Sequence, residues 1–350
     1  MPERVIREGT HPFRPRPRLS PLLRRPAVLL AAAILLALCI LASLFVGSSR
    51  IPADQVAHYL LHPDASNVSY NINVLRVQRT IMGVLVGTAL AVAGAVMQAV
   101  TRNPLAEPGL LGVNAGASLG IVLGTAALGV LPVPGQLLLA AGGALTATAL
   151  VQVIGMIGGS TSSPVRLVLI GVAFSAFAGA VIRGVVLTMP NLFRTFIDWE
   201  VGSLTRADIP LLPMTLLVVL GAGAALLLAG ALDNIALGDD VAAALGTRVG
   251  LVRGLSLVII TLLCATATTV AGPIGFVGLM APLTASWLMG PHRGWIVALC
   301  ALGGPVVVLA ADVLGRVLAR PGEIQVGLLT AFVGSPVLLL MVLRMKDRAS

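Results

Sequence analysis

Ten runs of apolar residues, most of them about 20 residues long, recur along this chain and constrain its fold more than any other feature. A helix of that length spans the hydrocarbon core of a bilayer, where only helices and closed barrels satisfy every backbone hydrogen bond. The chain is 57% hydrophobic and 11% charged, whereas soluble domains carry roughly 25% charged residues. The sequence therefore predicts an all-α polytopic membrane protein with about ten transmembrane helices.

The chain divides into a polar tail and a transmembrane domain. Residues 1–26 are rich in Arg and Pro, and we expect a disordered, basic cytoplasmic tail. Residues 27–345 are predicted to form the transmembrane domain, with a polar loop at 48–75 after the first span. The predicted spans are about 27–47, 80–100, 109–130, 136–158, 166–189, 211–231, 251–271, 274–290, 294–318 and 324–343. Gly272-Pro273 either separates two of these spans or kinks one.

The distribution of basic residues predicts how the chain is oriented. Both ends are basic, and the positive-inside rule places basic ends in the cytoplasm. Two cytoplasmic ends require an even number of crossings, and ten spans satisfy that requirement. Eight arginines run against the rule because they lie outside or near the outer ends of spans: Arg50, Arg76, Arg79, Arg183, Arg194, Arg206, Arg316 and Arg320.

Composition excludes several kinds of site. Lys346 is the only lysine, so the Gly-x-x-x-x-Gly-Lys-Ser/Thr loop that holds nucleotide phosphates cannot form. The 3 cysteines lie in apolar runs, and the 4 histidines lack metal-ligand spacing. Basic residues are dispersed or lie in the tails, which argues against nucleic-acid binding. We expect no catalytic residue, no metal and no directly bound cofactor; if ATP drives this protein, another chain binds it.

A short polar interruption, Leu237–Val249, lies between two long apolar runs and predicts a small helix at about 238–246. Asp239 can cap its start, both Asp239 and Asp240 suit the positive end of the helix dipole, and Gly246 ends it. An apolar face at three-and-four spacing comprises Val241, Ala244 and Leu245. A helix this short is unstable alone. It either docks on its own protein or offers a handle to a soluble partner, and these residues alone leave both readings open.

Small residues repeat at four-residue spacing in two of the spans. In the second span they are Gly83, Gly87, Ala91 and Ala95, and in the third they are Gly112, Gly116, Gly120 and Gly124. Such ridges let membrane helices approach closely. We interpret both as packing surfaces and not as sites of chemistry.

The segment between the second and third spans carries the most specific pattern in the chain. It runs from Met97 to Gly116 and includes Arg102-Asn103-Pro104-Leu105-Ala106-Glu107-Pro108-Gly109-Leu110-Leu111-Gly112. Its two prolines and glycine predict a rigid cytoplasmic turn that starts a helix at Pro108. The string strongly resembles the permeases of ATP-binding-cassette importers for iron-siderophores, haem and vitamin B12. Further similar blocks are Leu75–Thr80, with Gln78 in place of a proline, Gly272–Met280, Ala311–Arg316 and Gly334–Val337.

This resemblance covers nearly the whole chain after the tail and implies a fold and a function. The fold is that of a type II importer permease, like the vitamin B12 permease, in the cytoplasmic (inner) membrane, so that 27–345 is the permease domain. The segments Asn114–Ser118, Ser163–Leu167, Gly202–Leu204 and Leu245–Val249 are similar to the branch that imports catecholate siderophores such as enterobactin. The implied function is therefore import of an iron(III)-siderophore, with haem or vitamin B12 as alternative cargoes.

A rival class is an ion-coupled secondary transporter, which needs ionisable groups near the bilayer midplane. The apolar runs offer almost none, which disfavours that class. The resemblance instead implies four kinds of partner. They are a second, homologous but different permease subunit, two cytoplasmic ATPase subunits that hold ATP and Mg, an extracytoplasmic siderophore-binding protein, and the ferric-siderophore cargo.

The resemblance also assigns roles to three groups of residues. The helix that couples to the ATPase would use Asp239, Asp240, Val241, Leu245 and Gly246. The cytoplasmic gate would comprise Ser160, Thr161, Ser162 and Ser163. The binding protein would dock on Arg76, Arg79 and Arg316. Arg76 and Arg79 have no acid within a helical turn, which predicts exposed, unpaired charge, whereas Asp312 can pair with Arg316 along one helix face.

One block departs from the family pattern, which usually reads Pro-His-x-x-Arg after the Gly-Leu-Met block. Here the residues are Pro282-Leu283-Thr284-Ala285-Ser286, so Leu283 and Ser286 replace the histidine and the arginine. The contact that those two polar groups make in the family cannot form in the same way in this chain.

Overall fold

The computed structural model describes residues 21–157, 164–189, 193, 196–197, 199–206 and 209–349, and these residues contain helices and no strand. In chain order the helices are α1 (Pro21–Phe45), α2 (Ala53–Leu61), α3 (Val77–Thr101), α4 (Val113–Leu128), α5 (Val133–Met156), α6 (Pro164–Thr188), α7 (Leu211–Ala236), α8 (Asp239–Ala244), α9 (Val249–Ala271), α10 (Val277–Met289), α11 (Arg293–Leu318) and α12 (Val326–Ala349). The predicted all-α architecture is confirmed.

Ten of these helices correspond one to one with the predicted spans. Within the described residues, 7 helices are long and apolar enough to cross a membrane, and three shorter apolar helices lie in α4, α10 and α12. Helix α9 ends at Ala271 and α10 begins at Val277. Gly272-Pro273 therefore separates two spans, since Gly272 adopts a φ of 75° that ends α9 and Pro273 cannot continue its hydrogen-bond ladder.

Two predicted non-helical segments are helical in part. The loop predicted at 48–75 contains α2, a short helix Asn67–Tyr70 and a π turn Asn71–Arg76 that runs directly into α3. Helix α2 forms because its Val56 side chain is fully buried against the bundle. Helix α1 begins at Pro21, inside the predicted tail, while residues 1–20 of that tail lie outside the described residues.

Helix α3 is the centre of the bundle. In the most apolar stretch of this helix, 83% of the residues are buried within the protein, compared with 6% in the same stretch of α1 and 17% in that of α6. It packs against α7, α9, α10 and α11, and the core includes Met82, Val86 and Met97. Peripheral helices such as α1 and α6 keep most of their apolar side chains on the outer surface, as helices that face lipid do.

Both small-residue ridges pack as predicted. A β-carbon added at Gly87 of α3 would lie 2.5 Å from the backbone nitrogen of Pro305 in α11, so only glycine allows this approach. Similarly, a β-carbon at Gly116 of α4 would lie 2.5 Å from the carbonyl oxygen of Gly143 in α5. The ridges thus bring backbones together where no hydrophobic effect drives helices to associate.

The turn after α3 occupies a different place from the one predicted. Pro108 begins a 3₁₀ turn, Pro108–Leu111, and not the helix itself. A β-carbon added at Gly278 of α10 would lie 3.0 Å from Cδ of Pro108 and 3.1 Å from the carbonyl oxygen of Leu90. Leu90 lies about 16 Å along α3 from its end at Thr101. Pro108 thus packs at the depth of Leu90, well before the end of α3. The segment 102–112 therefore folds back between the helices after α3 ends.

Candidate functional site

The small helix predicted at 238–246 is present as α8, Asp239–Ala244, between two glycines. Gly238 and Gly246 have φ of 117° and 81°, a region that favours glycine, and they set both ends of α8. Inside, Ala242 is fully buried, and the side chain of Asn234 in α7 donates to the Thr247 hydroxyl at 2.9 Å. The helix is therefore anchored on its own protein by one face and by the turn that follows it.

The role predicted for Asp239 as an N-cap is wrong. Gly238 occupies the N-cap position, and no side chain caps the helix. The Asp239 carboxylate instead accepts a close hydrogen bond from Nη2 of Arg102 and pairs with Nη1 of Arg253 at 3.0 Å. Two guanidinium groups attract the carboxylate more strongly than one backbone N–H, so it turns away from its own helix.

The opposite face of α8 is apolar and exposed. Val241 is 46% exposed and Leu245 is 58% exposed, and Leu237 just before the helix is 64% exposed. Asp240 and Gly246 are exposed beside them. This surface, Leu237, Val241 and Leu245, is called the α8 patch. It sits at the end of the bundle where α7 ends and α9 begins.

A charge cluster lies where α1 ends, α3 begins and α11 ends. Asp312 of α11 is fully buried, accepts from Nη2 of Arg79 at 2.7 Å, and accepts from Nη2 of Arg316 at 2.6 Å. Glu323 pairs with Nη1 of Arg79 at 2.6 Å. We call Arg76, Arg79, Arg316, Arg320, Asp312 and Glu323 the arginine cluster. Its net charge is positive, since four arginines meet two carboxylates.

The prediction that Arg76 and Arg79 carry exposed, unpaired charge is wrong. Arg76 is 4% exposed and donates to the carbonyl oxygens of Leu44 at 2.9 Å and Ser49 at 3.0 Å. Arg79 pairs with Asp312, which lies in a different helix, far from Arg79 in the sequence. Arg316 is 2% exposed and also donates to backbone carbonyls at the end of α1. These arginines hold three helix ends together.

A cavity of about 170 Å³ opens beside this cluster. Its lining includes Ser49, Gln78 and Arg206 together with Arg76, Arg79, Arg316 and Glu323 of the cluster. Glu323 lies on its wall, in the segment between α11 and α12. Partial burial acts to raise the pKa of Glu323, but the hydrogen bond and charge of Arg79 and the Ser48 hydroxyl outweigh it and hold the pKa below its usual value. Glu323 therefore stays ionised and keeps Arg79 in place.

Two segments that contain no α-helix meet inside the bundle. The first is 102–112, described above, and the second is 272–276, between α9 and α10. The Glu107 carboxylate accepts from the backbone N–H of Phe276 at 3.0 Å. Phe276 is the N-cap of α10 and has a φ of 69°, unusual for a residue with a side chain. The carboxylate thus sits at the positive end of the α10 dipole.

The predicted gate residues Ser160, Thr161, Ser162 and Ser163 lie outside the described residues. The two departures from the family pattern lie within α10. Leu283 is 2% exposed, and the Ser286 hydroxyl donates to the Leu283 carbonyl oxygen at 2.8 Å. Leu283 therefore makes apolar packing contacts where the family has a histidine. Ser286 makes a hydrogen bond within its own helix where the family has an arginine.

Sequence reasoning missed the partners of the outer arginines and the role of Glu107. Asp312 is the single acid within the ten predicted spans, which was the available signal that it pairs with more than one arginine. Glu107 gave a weaker signal because it stands in a polar turn, and only the fold shows that this turn enters the bundle.

Comparison with known proteins identifies what this architecture resembles. The model of the FecCD transport family matches residues 35–344. The ferric enterobactin transport system permease protein FepD of Escherichia coli K12 is 44% identical over 303 residues, which are 86% of this chain and 90% of the relative. The Fe(3+)-citrate import system permease protein YfmD of Bacillus subtilis 168 is 38% identical over 84% of this chain and 87% of its own length.

A solved structure of a metal-chelate type ABC transporter in an inward-facing conformation has the same fold. It superposes with a TM-score of 0.80 at 25% sequence identity, and the match covers 91% of this chain and 99% of that one. The predicted type II importer permease fold is thereby confirmed.

Proposed function

Because this chain belongs to the FecCD transport family, we propose that it is the membrane-spanning permease subunit of an ATP-binding-cassette importer for an iron(III)-siderophore of the catecholate, enterobactin-like type. The observation that carries the cargo class is the 44% identity to a ferric enterobactin permease across 86% of the chain. The family membership disfavours the rival class of ion-coupled secondary transporter. Haem and vitamin B12 remain the alternative cargoes to test against the siderophore.

In this proposal the α8 patch docks in a cleft of a cytoplasmic ATPase subunit. The patch is exposed and apolar, while the rest of α8 is fixed to α7 and α9 by Ala242 and Asp239. One face of the helix is held against the bundle and the other is exposed to solvent. Such a helix can transmit movement from a bound partner to the bundle. Asp240 and Gly246 flank the patch and complete the coupling surface predicted from the sequence.

The arginine cluster would face the extracytoplasmic binding protein. Arg76, Arg79 and Arg316 are too buried to act as exposed docking side chains, so their contribution is different from the one first predicted. Four arginines and two carboxylates leave a net positive charge at one end of the bundle. Such a field attracts an acidic partner surface over a distance and raises the association rate. Arg50, which is exposed near the cluster, can meet acidic groups directly.

The remaining partners follow from the same premise. A second permease subunit, homologous but different, would complete the pathway, and two ATPase subunits would hold ATP and Mg on the cytoplasmic side. The gate would be Ser160, Thr161, Ser162 and Ser163, in the segment that joins α5 to α6. Both termini would be cytoplasmic and the membrane would be the inner one, since both ends of the chain are basic.

Uptake into proteoliposomes tests this function. The complex of permeases and ATPases is reconstituted, and the cargo-loaded binding protein is added outside. We expect uptake of a ferric catecholate siderophore that stops on ATP depletion and continues with a proton ionophore. Haem and vitamin B12 serve as competing cargoes in parallel samples. Uptake that the ionophore abolishes and ATP depletion does not would contradict the proposal, and transport of haem or vitamin B12 in preference to the siderophore would contradict the cargo class.

A further inference from the structure

A series of contacts leads from α8 to the middle of the bundle, with the segment 102–112 as its connecting stretch of chain. It begins at Asp239 in α8, which binds Arg102, the residue immediately after α3. Arg102 has a φ of 51°, a left-handed conformation that starts the return of the chain into the bundle, and its Nε donates to the Ile235 carbonyl oxygen in α7 at 2.7 Å. Movement of α8 therefore acts directly on the first residue of the segment 102–112.

The next contact lies deep within the bundle. Ala106 and Pro108 on either side of Glu107 are buried, with Pro108 against Gly278 of α10. Between them, Glu107 accepts from the Phe276 N–H at 3.0 Å, so one carboxylate joins the segment 102–112 to the start of α10. An ionisable residue placed among membrane helices is costly and is retained where it has a function.

The series continues from Phe276 to the last helix. A β-carbon added at Gly334 of α12 would lie 2.6 Å from Cβ of Phe276, so the Phe276 side chain packs directly on the backbone of α12. Gly334 lies about 12 Å along α12 from its start at Val326. A shift of Phe276 must therefore displace α12 because no space separates them.

We propose that Glu107 is a positioning residue that transmits movement of α8 through the segment 102–112 to α10 and α12. This inference rests on the proposed function, in which an ATPase subunit moves α8. Glu107 acts through its carboxylate oxygen as the acceptor for the Phe276 N–H, and Arg102 is the link that connects it to α8. Loss of either link leaves ATP hydrolysis running without moving the centre of the bundle.

The test measures uptake per ATP hydrolysed by the reconstituted complex. Glu107→Leu removes the acceptor at similar size, and we expect uptake per ATP to fall about fivefold or more. Glu107→Gln keeps an amide oxygen that can accept from the Phe276 N–H, and we expect it to retain most of the coupling. Glu200→Leu is the control, since the Glu200 carboxylate also accepts one hydrogen bond, from the Ser118 hydroxyl of α4 at 2.8 Å, but makes no contact with the segment 102–112 that the structure shows. It can lower thermal stability but is expected to leave uptake per ATP unchanged.

A double-mutant cycle tests whether Arg102 and Glu107 act in one line. We expect Arg102→Ala combined with Glu107→Leu to lower uptake per ATP no further than the more severe single change does. We also expect the ATP-dependent change in hydrogen exchange of residues 272–280 to disappear in each variant. If Glu107→Leu does not assemble, Glu107→Asp decides, since its shorter side chain withdraws the oxygen while keeping the charge.

The outcomes separate this inference from the proposed function. A wild-type complex that fails to transport any siderophore contradicts the function, whatever Glu107 does. A wild-type complex that transports, while Glu107→Leu or the assembled Glu107→Asp keeps normal uptake per ATP, overturns the positioning role. Equal losses in Glu107→Gln and Glu107→Leu, or multiplied losses in the double variant, overturn it as well.

Discussion

At the scale of single residues, the arginine cluster shows how one buried acid organises three helix ends. Asp312 is fully buried and pairs with both Arg79 and Arg316, whose remaining donors are taken by Glu323 and by backbone carbonyls. A buried charge pair is a weak source of net stability, but removing one partner leaves the other charge buried and uncompensated. Asp312 therefore matters chiefly because its removal would leave the charges of Arg79 and Arg316 without their shared partner.

We expect Asp312→Asn to destabilise the purified protein by roughly 3–5 kcal/mol, because two buried guanidinium groups lose their shared counter-charge. Glu323→Gln is the control, since Glu323 is part-exposed, with 28% side-chain exposure, and neutralises only one of the same arginines. The measurement is the thermal unfolding midpoint in detergent. Equal midpoints for Asp312→Asn and wild type would show that the cluster does not hold these helices.

Residue partners are also where prediction from the sequence fell short. The i,i+4 pair of Asp312 and Arg316 could be predicted from helical spacing and is present at 2.6 Å. The pair of Arg79 and Asp312 could not, because the two residues are brought together only by the packing of α3 against α11. The burial of Arg76 likewise depends on where α1 ends, which hydropathy alone does not fix.

At the scale of elements, α8 was predictable in position but not in its capping. Its glycines and its apolar spacing gave its limits to within a few residues, and its apolar face is exposed. The cap prediction for Asp239 was wrong because Arg102 and Arg253 come from outside the helix. Local signals thus locate a short helix well and say little about side chains that reach across the fold.

We expect Leu245→Asp to abolish transport while the protein still assembles in the membrane. Leu245 is 58% exposed on the α8 patch, so the change is tolerated by the permease itself, but docking would bury an unpaired charge at a cost of several kcal/mol. Leu245→Met conserves volume and apolar character and serves as the control. The measurements are co-purification of the ATPase subunits and uptake. Normal uptake by Leu245→Asp would show that α8 is not the coupling helix.

The glycine ridge of α3 supports a prediction about helix pairing. Gly87→Ala places a methyl group 2.5 Å from the Pro305 nitrogen, and we expect overpacking to cost about 1–3 kcal/mol. Gly303→Ala in the facing helix α11 is the matched control, since nothing described lies within 4 Å of a β-carbon added there. Thermal unfolding compares the two variants, and equal loss of stability would argue against the close contact.

At the scale of the whole molecule, hydropathy predicted the ten spans. Each span is a helix that satisfies its backbone hydrogen bonds within itself, so a long apolar run is enough to indicate it. Hydropathy could not predict that the segments 102–112 and 272–276, which contain no α-helix, meet inside the bundle. Non-helical backbone is tolerated at membrane depth only where protein surrounds it, and that surrounding protein is contributed by α3, α6, α10 and α12. The fold class was therefore readable from the sequence, whereas the middle of the bundle, where transmission is proposed, was not.

The last prediction concerns the outer end of the molecule, where the net positive charge of the arginine cluster would attract the binding protein. Arg76 and Arg316 are buried, Arg79 is mostly buried, and each donates hydrogen bonds within the protein. Reversing their charges would therefore disturb the fold itself and would not test docking alone. Arg50 is exposed just after α1, and reversing its charge leaves those buried contacts intact. We expect Arg50→Glu to slow association of the binding protein, with the largest effect at low salt, where surface charges are least screened.

Each exposed ion pair contributes only about 0.2–1 kcal/mol, so the loss of affinity from Arg50→Glu should be several-fold at most. Arg183→Glu is the control, since Arg183 is also exposed but lies in α6, away from the cluster. Association of the binding protein with the reconstituted complex, followed across a salt series, separates the two variants. Equal slowing by both would indicate that general positive charge attracts the binding protein and that the cluster does not direct it to one end. If neither variant slows association at low ionic strength, charge does not guide docking on this face, and shape complementarity must do so.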